Sequence, residues 1–475
     1  MISRDDIMAG IALALGHEPT AGQQKALLML GYLLHDDGRL KAMLLKGYAG
    51  TGKTTLLAAI VKSSALLGYQ TVLMAPTGRA AKVLSAYTGQ AAFTIHKKIY
   101  RSYTNVAGGV GFAMQPNLHQ KTIFIVDEAS MIQADDLYQP GSGVESRNLL
   151  ADLLNYVSYG KHCRLIISGD TAQLPPVHAE QSPALDKSVI EQHLNWRMAE
   201  MELTDVVRQE LDSGILYNAT QLRNRVGEEQ VSKPFFTTEG YKDVRQPDPS
   251  TFSDIFADAF TGSNLHESVV ICRSNKRANM YNREIRGRIL FRDDELNAGD
   301  LLMVVKNNYF WMPEDQPYGF IANGDIVEVK RILRITELYG FRFARAEVSF
   351  IDYEMPPIQV NLMLDTLNSE SPALSQPDQK RLFDTILLDY TDIKGRQKQI
   401  DEVRRNEWFN ALQVKYAYAL TCHKTQGGQW KRVFIDAPYN PDNVFTTNDI
   451  RWFYTAITRA SETVYLAGFD LSYFN

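Results

Sequence analysis

Gly47, Tyr48, Ala49, Gly50, Thr51, Gly52, Lys53 and Thr54 follow the apolar run Ala42–Leu45 and precede a helical pattern carrying Leu56, Leu57, Ile60 and Val61. A Gly-rich turn between strand and helix lets backbone N–H groups wrap a phosphate, and the helix N-terminus adds a favourable field. Lys53 is placed to reach the β- and γ-phosphates, the Thr54 hydroxyl to ligate Mg2+, and Thr55 completes the phosphate-binding set. Asp127 and Glu128 close a second apolar run, Thr122–Val126. One carboxylate at such a strand end can hold the metal and the next can polarise water, so Asp127 is read as metal partner and Glu128 as general base. A third run, Leu165–Ile167, leads to Asp170 and then Gln173, whose amide can both donate and accept at a γ-phosphate. Arg208 and Arg459 are candidates for stabilising negative charge in a transition state. Taken singly, a pair of acids or a lone arginine equally suits a salt-bridged surface; the P-loop gives these residues their chemical meaning.

The elements that must position these groups follow from the pattern. Continuous apolar runs bounded by turns, at Ala42–Leu45, Thr71–Met74, Thr122–Val126 and Leu165–Ile167, predict strands buried on both faces of a parallel sheet covered by helices. The Gly-rich stretch Asn105–Gly111, flanked by Tyr103 and Phe112, predicts a projecting hairpin. A second α/β pattern starts near Met201, with a strand at Ser268–Cys272 and a helix at Arg277–Leu290, and returns at Val433–Ile435 and Val464–Ala467. Between these, Leu301–Val305, Ile326–Leu333, Phe343–Phe350 and Gln359–Leu362 predict short antiparallel strands of an inserted β-barrel, with turn chemistry at Asn323, Gly324 and Asp325. The polar stretch Leu364–Ala411 carries no motif; helices are expected at Gln379–Leu388 and Ile400–Leu412. Tyr309, Phe310 and Trp311 cannot all face one core from a strand.

The 475 residues are 45% hydrophobic and 22% charged, ordinary for a globular chain of more than one domain. A net charge of −5 gives no global sign of nucleic-acid binding, so any such site must be a local basic groove. Cys163, Cys272 and Cys422 lie far apart in apolar settings, without metal-ligand spacing or a disulfide framework, as suits a reducing compartment. Met1–Gly16 lacks a basic leader, and no apolar stretch approaches the roughly 20 residues that span a bilayer. A soluble, intracellular, cytoplasmic protein without membrane contact is expected.

With these residues in hand, the chain resembles the superfamily 1B DNA helicases of the RecD and Dda type. The resemblance is an ordered set of motifs over nearly the whole chain. Thr20 to Gln23 is similar to the motif that reads adenine through a glutamine amide, and Gly47–Thr54 to motif I. Ala75–Lys82 resembles motif Ia and Thr94–His96 motif Ib. Asp127–Ser130 resembles motif II, Gly169–Val177 motif III and Arg208–Gln209 motif IV. Ala419–Gly427 resembles motif V and Tyr454–Arg459 motif VI.

The resemblance implies ATP and Mg2+ as cofactors. It implies two RecA-like domains with ATP between them, at residues 1–200 and at 201–298 with 412–475. It implies a small pin domain at 98–120 and an SH3-like barrel with its arm at 299–411. Arg208 and Arg459 become arginine fingers, and Gln23 and Gly427 join the nucleotide set. The implied single-strand track runs over Pro76, Thr77, Thr94 and His96 in the first domain and over Ser274, Asn275, Thr421, His423 and Lys424 in the second. Arg273, Lys276 and Arg277 beside Ser274 supply local basic density. The resemblance makes Phe112 the candidate strand-separating aromatic of the pin, with Tyr103 or the hairpin backbone alone as the alternatives.

The expected activity is ATP-driven translocation from 5′ to 3′ on single-stranded DNA, with unwinding at single-strand/duplex junctions, by a monomer acting beside replication or repair proteins. Three alternatives remain at this stage. They are a translocase that strips proteins but unwinds poorly, a P-loop small-molecule phosphotransferase, and a dead ATPase kept as a binding module; the intact Lys53, Asp127, Glu128, Gln173, Arg208 and Arg459 speak against the last.

Overall fold

The computed structural model describes residues 3–35, 40–104, 110–133, 148–177, 179–194, 196–205, 212–228, 231–262, 265–312, 320–352 and 355–474. The chain divides into two compact units. One runs from the N-terminus to Pro234 and adds Val444–Thr458; the other spans Phe235–Asn443 and the chain from Arg459 onward.

The first unit is built on β1 (Ala42–Gly47), β2 (Gln70–Ala75), β3 (Ala92–Thr94), β4 (Tyr100–Thr104), β5 (Val110–Met114), β6 (Thr122–Val126), β7 (Arg164–Gly169) and β8 (Met198–Leu203). Six of these form one parallel sheet in the order β3-β2-β6-β7-β1-β8, while β4 and β5 pair antiparallel. Alternating strand residues feed two apolar layers. Met43, Leu45, Leu73, Ile123, Ile125 and Ile166 pack with α1 (Arg4–Leu15), α2 (Ala21–Leu34) and α3 (Lys53–Ser64). Leu44, Val72, Met74, Phe124, Val126 and Ile167 pack on the other face with α5 (Ile95–Ile99) and α6 (Leu149–Tyr159), after α4 (Gly78–Thr88). This double coverage is why the central strands read as unbroken apolar runs. The unit ends with α7 (Lys187–Leu194) and α8 (Gly214–Asn224).

The second unit holds a parallel sheet and a barrel. Its elements are β9 (Val244–Arg245), α9 (Phe252–Ala259), β10 (Ser268–Cys272), α10 (Asn275–Glu284), β11 (Leu301–Val304), β12 (Ile326–Leu338), β13 (Phe341–Phe350), β14 (Ile358–Met363), α11 (Gln376–Leu387), α12 (Arg396–Arg405), β15 (Leu412–Tyr416), β16 (Ala419–Thr421), α13 (Cys422–Thr425), β17 (Trp430–Asp436) and β18 (Ala460–Ala467). The helix between the last two strands, α14 (Thr447–Ile457), belongs to the first unit. The parallel sheet runs β16-β10-β17-β18-β9, and β11 to β15 close the barrel. Asp300 anchors the barrel's entrance: Arg286 donates to its two oxygens at 3.0 Å each, and Tyr418 donates to it at 3.1 Å.

The expected α/β class and inserted barrel are present; several boundaries move. β8 hydrogen-bonds to β1 at the edge of the first sheet, so the division expected at 201 cuts through a strand. One face of this edge strand is covered and the other partly open, with Ala199 and Leu203 buried and Glu200 and Glu202 exposed, so it lacks the unbroken apolar run of the central strands. The barrel needs β15 to close, which carries it past the expected end at 411 to Tyr416. The helix expected over Ile400–Leu412 stops at Arg405, before Asn406 turns extended and the chain enters β15. The motif-poor arm is a helical pair: Leu382, Ile386 and Val403 pack on Phe341, Phe343 and Met363 of the barrel. Of the three consecutive aromatics, Tyr309 stacks on Phe320 while Trp311 donates its ring N–H to Asn410 O at 2.7 Å.

Candidate nucleotide site and nucleic-acid track

The nucleotide motifs of the first unit converge because β6, β7 and β1 are neighbours and parallel, so Asp127, the Asp170–Gln173 turn and the P-loop leave the same edge of the sheet. Gly50 and Gly52 take left-handed φ values of 74° and 78°, which glycine adopts without strain, and Lys53 opens α3 directly after. A side chain at Gly47 would meet Thr51 Oγ1 at 2.8 Å and Lys53 Cγ at 3.0 Å, so the loop closes only on glycine. Lys53 Nζ donates to Gly47 O at 2.6 Å and Tyr48 O at 2.9 Å, folded across the cradle it would share with a phosphate. Thr51 Oγ1 donates to Tyr48 O at 2.8 Å and stiffens the loop. Burial and Glu202 push the Tyr48 phenol up to about 12, while the Arg223 guanidinium lies 4.2 Å over its ring.

Two glutamines carry the sign of a missing ligand. Gln23 is fully buried on α2, its Oε1 accepting from Thr20 N–H at 3.1 Å in a capping box. Its Nε2 has no partner among the described residues. The same holds for Gln173 Oε1, in a side chain lining a cavity of about 550 Å³ with Ser130, Asp170 and Thr171. Leaving a buried amide atom unmet costs about 1–3 kcal/mol, so both positions suit a polar ligand. An unmet donor at Gln23, a helix N-terminus with a lysine at the P-loop and an unmet acceptor at Gln173 fit a purine nucleoside triphosphate. Glu128 holds φ 53°, a left-handed conformation unusual for a side-chain-bearing residue, of the kind that clusters at reactive sites. Thr54 and Asp127 carry oxygen donors of the kind that would hold a hard divalent cation such as Mg2+. Arg208 lies outside the described residues.

Three of the expected track residues cap helices at strand ends. Thr77 Oγ1 accepts from Ala80 N–H at 3.3 Å at the start of α4, Thr94 from Lys97 N–H at 3.2 Å at the start of α5, and Ser274 from Arg277 N–H at 3.2 Å at the start of α10. Thr421 stands at the same position before α13. Pro76 lies beside Thr77 at the end of β2. Burial lowers the pKa of His96, and that of His423 falls through burial and then the charge of Arg273. Burial brings Lys424 down to about 8, with Lys415 adding to the effect.

Two residues of this region already hold protein partners. Arg277 is not free basic density, because it forms a two-pronged pair with Asp436. Asn275 donates its amide to Glu370 O at 3.0 Å, which ties the start of α10 to the segment between β14 and α11. Arg459 is buried, its guanidinium 3.4 Å from Gly428 O, next to Gly427 in its left-handed turn. The backbones of Tyr103 and Phe112 sit in the paired strands β4 and β5, and their side chains lie outside the described residues.

A family profile described as an AAA domain matches residues 20–233, and one described as a UvrD-like helicase C-terminal domain matches residues 416–467. The ATP-dependent DNA helicase dda of Enterobacteria phage T4 is 27% identical over 386 residues, covering 77% of this chain and 81% of that protein. In both matched spans and in this relative, the chain is similar to superfamily 1B helicases. Solved structures with a similar chain course include the Pif1 helicase from Bacteroides in complex with ADP-AlF3 and ssDNA. It has a TM-score of 0.47 at 15% identity, over 97% of this chain and 95% of that one. The Pif1 helicase from Candida albicans has a TM-score of 0.47 at 16% identity, over 93% and 94%.

Some residues of this chain act only through the fold. Tyr454 and Asp170 entered the reading as letters of a motif, yet they bond to each other at 2.5 Å. Lys415 carried no signal at all; it is buried in β15 and donates to Thr366 O at 3.3 Å. No helix among the described residues is long and apolar enough to cross a membrane.

Proposed function

We propose that this helicase hydrolyses ATP to move 5′ to 3′ along single-stranded DNA and to separate the duplex at a junction. One observation carries the reading. The first sheet offers its nucleotide groups at the ends of β6, β7 and β1, and capped helix starts at the ends of the adjacent β2 and β3. The second sheet repeats the helix starts at the ends of β10 and β16, the first capped by Ser274 and the second with Thr421 at its N-cap position. Helix N-termini suit phosphate groups whatever the base, as a motor's grip on DNA requires.

In this reading Gln23 meets the adenine edge, and Ala49, Gly50, Thr51, Gly52, Thr54 and Thr55 line the triphosphate with Lys53. Mg2+, when bound, neutralises phosphate charge. Glu128 accepts the proton of the attacking water, Gln173 orients at the γ-phosphate, and Arg208 and Arg459 stabilise the developing charge. The single strand passes Thr77, Thr94 and His96, and then Ser274, Thr421, His423 and Lys424. The β4–β5 hairpin serves as the pin.

The test is ATP hydrolysis and strand separation on two partial duplexes, one with a 5′ tail and one with a 3′ tail. DNA-stimulated hydrolysis with unwinding from the 5′ tail alone is the expected result. Stimulated hydrolysis without unwinding would point to a translocase, unwinding from the 3′ tail would reverse the polarity, and hydrolysis indifferent to DNA would overturn the reading.

A further inference from the structure

Tyr454 is 1% exposed on α14 and sits inside the first unit. Its hydroxyl does two things at once. It accepts from the P-loop Ala49 N–H at 3.0 Å, and it donates to Asp170 Oδ2 at 2.5 Å. Asp170, 2% exposed, uses its other oxygen to accept from Ala172 N–H at 2.9 Å. The next residue of the helix, Thr455, accepts from Leu174 N–H at 2.9 Å. The turn carrying Gln173 is thus held on both sides by neighbouring residues of one helix, and one of the two holds also reaches the P-loop.

Packing alone does not account for this phenol. In a site this dry a phenylalanine would fill nearly the same space, and a buried hydroxyl is neutral at best unless its bonds are made. Here they are made to a P-loop amide and to a carboxylate, the second short and charge-assisted. A hydrogen-bonded chain in low-dielectric surroundings fixes relative position more firmly than dispersion contacts do.

We propose that Tyr454 is a positioning residue for hydrolysis: it locks the P-loop at Ala49 to the Asp170–Leu174 turn, so that Gln173 is held at the distance from the γ-phosphate that the reaction needs. The claim rests on the nucleotide reading of the P-loop and deepens it. A misplacement of about 1 Å in a reacting group can cost about a hundredfold in rate, while ground-state binding through the rest of the loop is unaffected. Loss of the Tyr454 hydroxyl therefore lowers kcat and leaves KM for ATP nearly unchanged.

The experiment compares wild type and Tyr454→Phe in steady-state ATP hydrolysis, with and without a single-stranded oligonucleotide, alongside thermal melting. The expected result is a kcat about tenfold lower, a KM within about twofold and a similar melting temperature. Thr455→Val, which removes the acceptor for Leu174 N–H, gives the same split and serves if Tyr454→Phe folds poorly. An unchanged kcat in both variants overturns the proposal. So does a rise in KM that accounts for the loss, since that marks a binding or structural role. Failure of the wild type to hydrolyse ATP would instead overturn the nucleotide reading, so the two failures are told apart.

Discussion

Thr94 and Thr421 occupy the same place in two different sheets. Thr94 ends β3 opposite Ala75 of β2, and Thr421 ends β16 opposite Cys272 of β10. Each stands at the start of a short helix, α5 or α13, and in each case the neighbouring strand runs on to a helix capped by a hydroxyl, Thr77 or Ser274. Each unit thus carries a similar pair of helix starts.

Lys424, in α13, sets a pH dependence. Burial brings its ammonium down to about 8. On the proposed track a DNA phosphate would supply a counter-charge and raise that value, so binding would take up a proton above pH 8. Affinity for a single-stranded oligonucleotide then falls about tenfold from pH 7 to pH 9 at constant ionic strength. Fluorescence anisotropy on wild type and Lys424→Met checks this; an equal slope in both excludes Lys424. For the free fold the sign is opposite: a lysine whose folded pKa is depressed favours folding more as pH rises from 8 towards its unfolded value near 10.4.

Lys53→Ala removes the ammonium that spans the P-loop. Its hydrogen bonds run to two carbonyls of the loop itself, so the sheet does not depend on it. ATP hydrolysis should fall by about two orders of magnitude or more with an intact circular dichroism spectrum. Turnover at the wild-type rate would refute the site assignment.

Arg459→Ala should spare ATP binding and lower kcat by about a thousandfold, as removal of an arginine finger does. Equilibrium binding of a fluorescent ATP analogue beside single-turnover hydrolysis separates the two. Lost binding with unchanged chemistry would contradict the finger role.

Arg277→Ala should destabilise the second unit and not act chiefly on DNA. Arg277 Nε and Nη2 each lie 2.8 Å from Asp436, whose side chain is 5% exposed and also accepts from Tyr281 at 2.7 Å. Removing the arginine leaves a buried carboxylate short of its cation, a loss of about 1–3 kcal/mol given that Arg277 is itself half exposed. Denaturant titration measures it; a weakened DNA affinity with unchanged stability would show that Arg277 faces phosphate after all.

Much of this protein was legible along the chain. The P-loop, Asp127 with Glu128, Gln173 and the central strands announce themselves because their chemistry depends on local order: a turn before a helix, a carboxylate at a strand end, an apolar run between two helical layers. The ordered motifs did the same for the superfamily. What local order could not give was decided by partners distant in sequence. β8 joins the first sheet because it pairs with β1, and β15 closes the barrel because it pairs with β11 and β14. Arg277 lost its place in the basic track to Asp436, and Asn275 is tied to Glu370. Tyr454 gained its meaning only when the fold set its hydroxyl between Ala49 and Asp170. Sequence fixes which groups are present and what each can do; a hydrogen bond acts over about 3 Å, and only the folded chain decides which of those groups come that close.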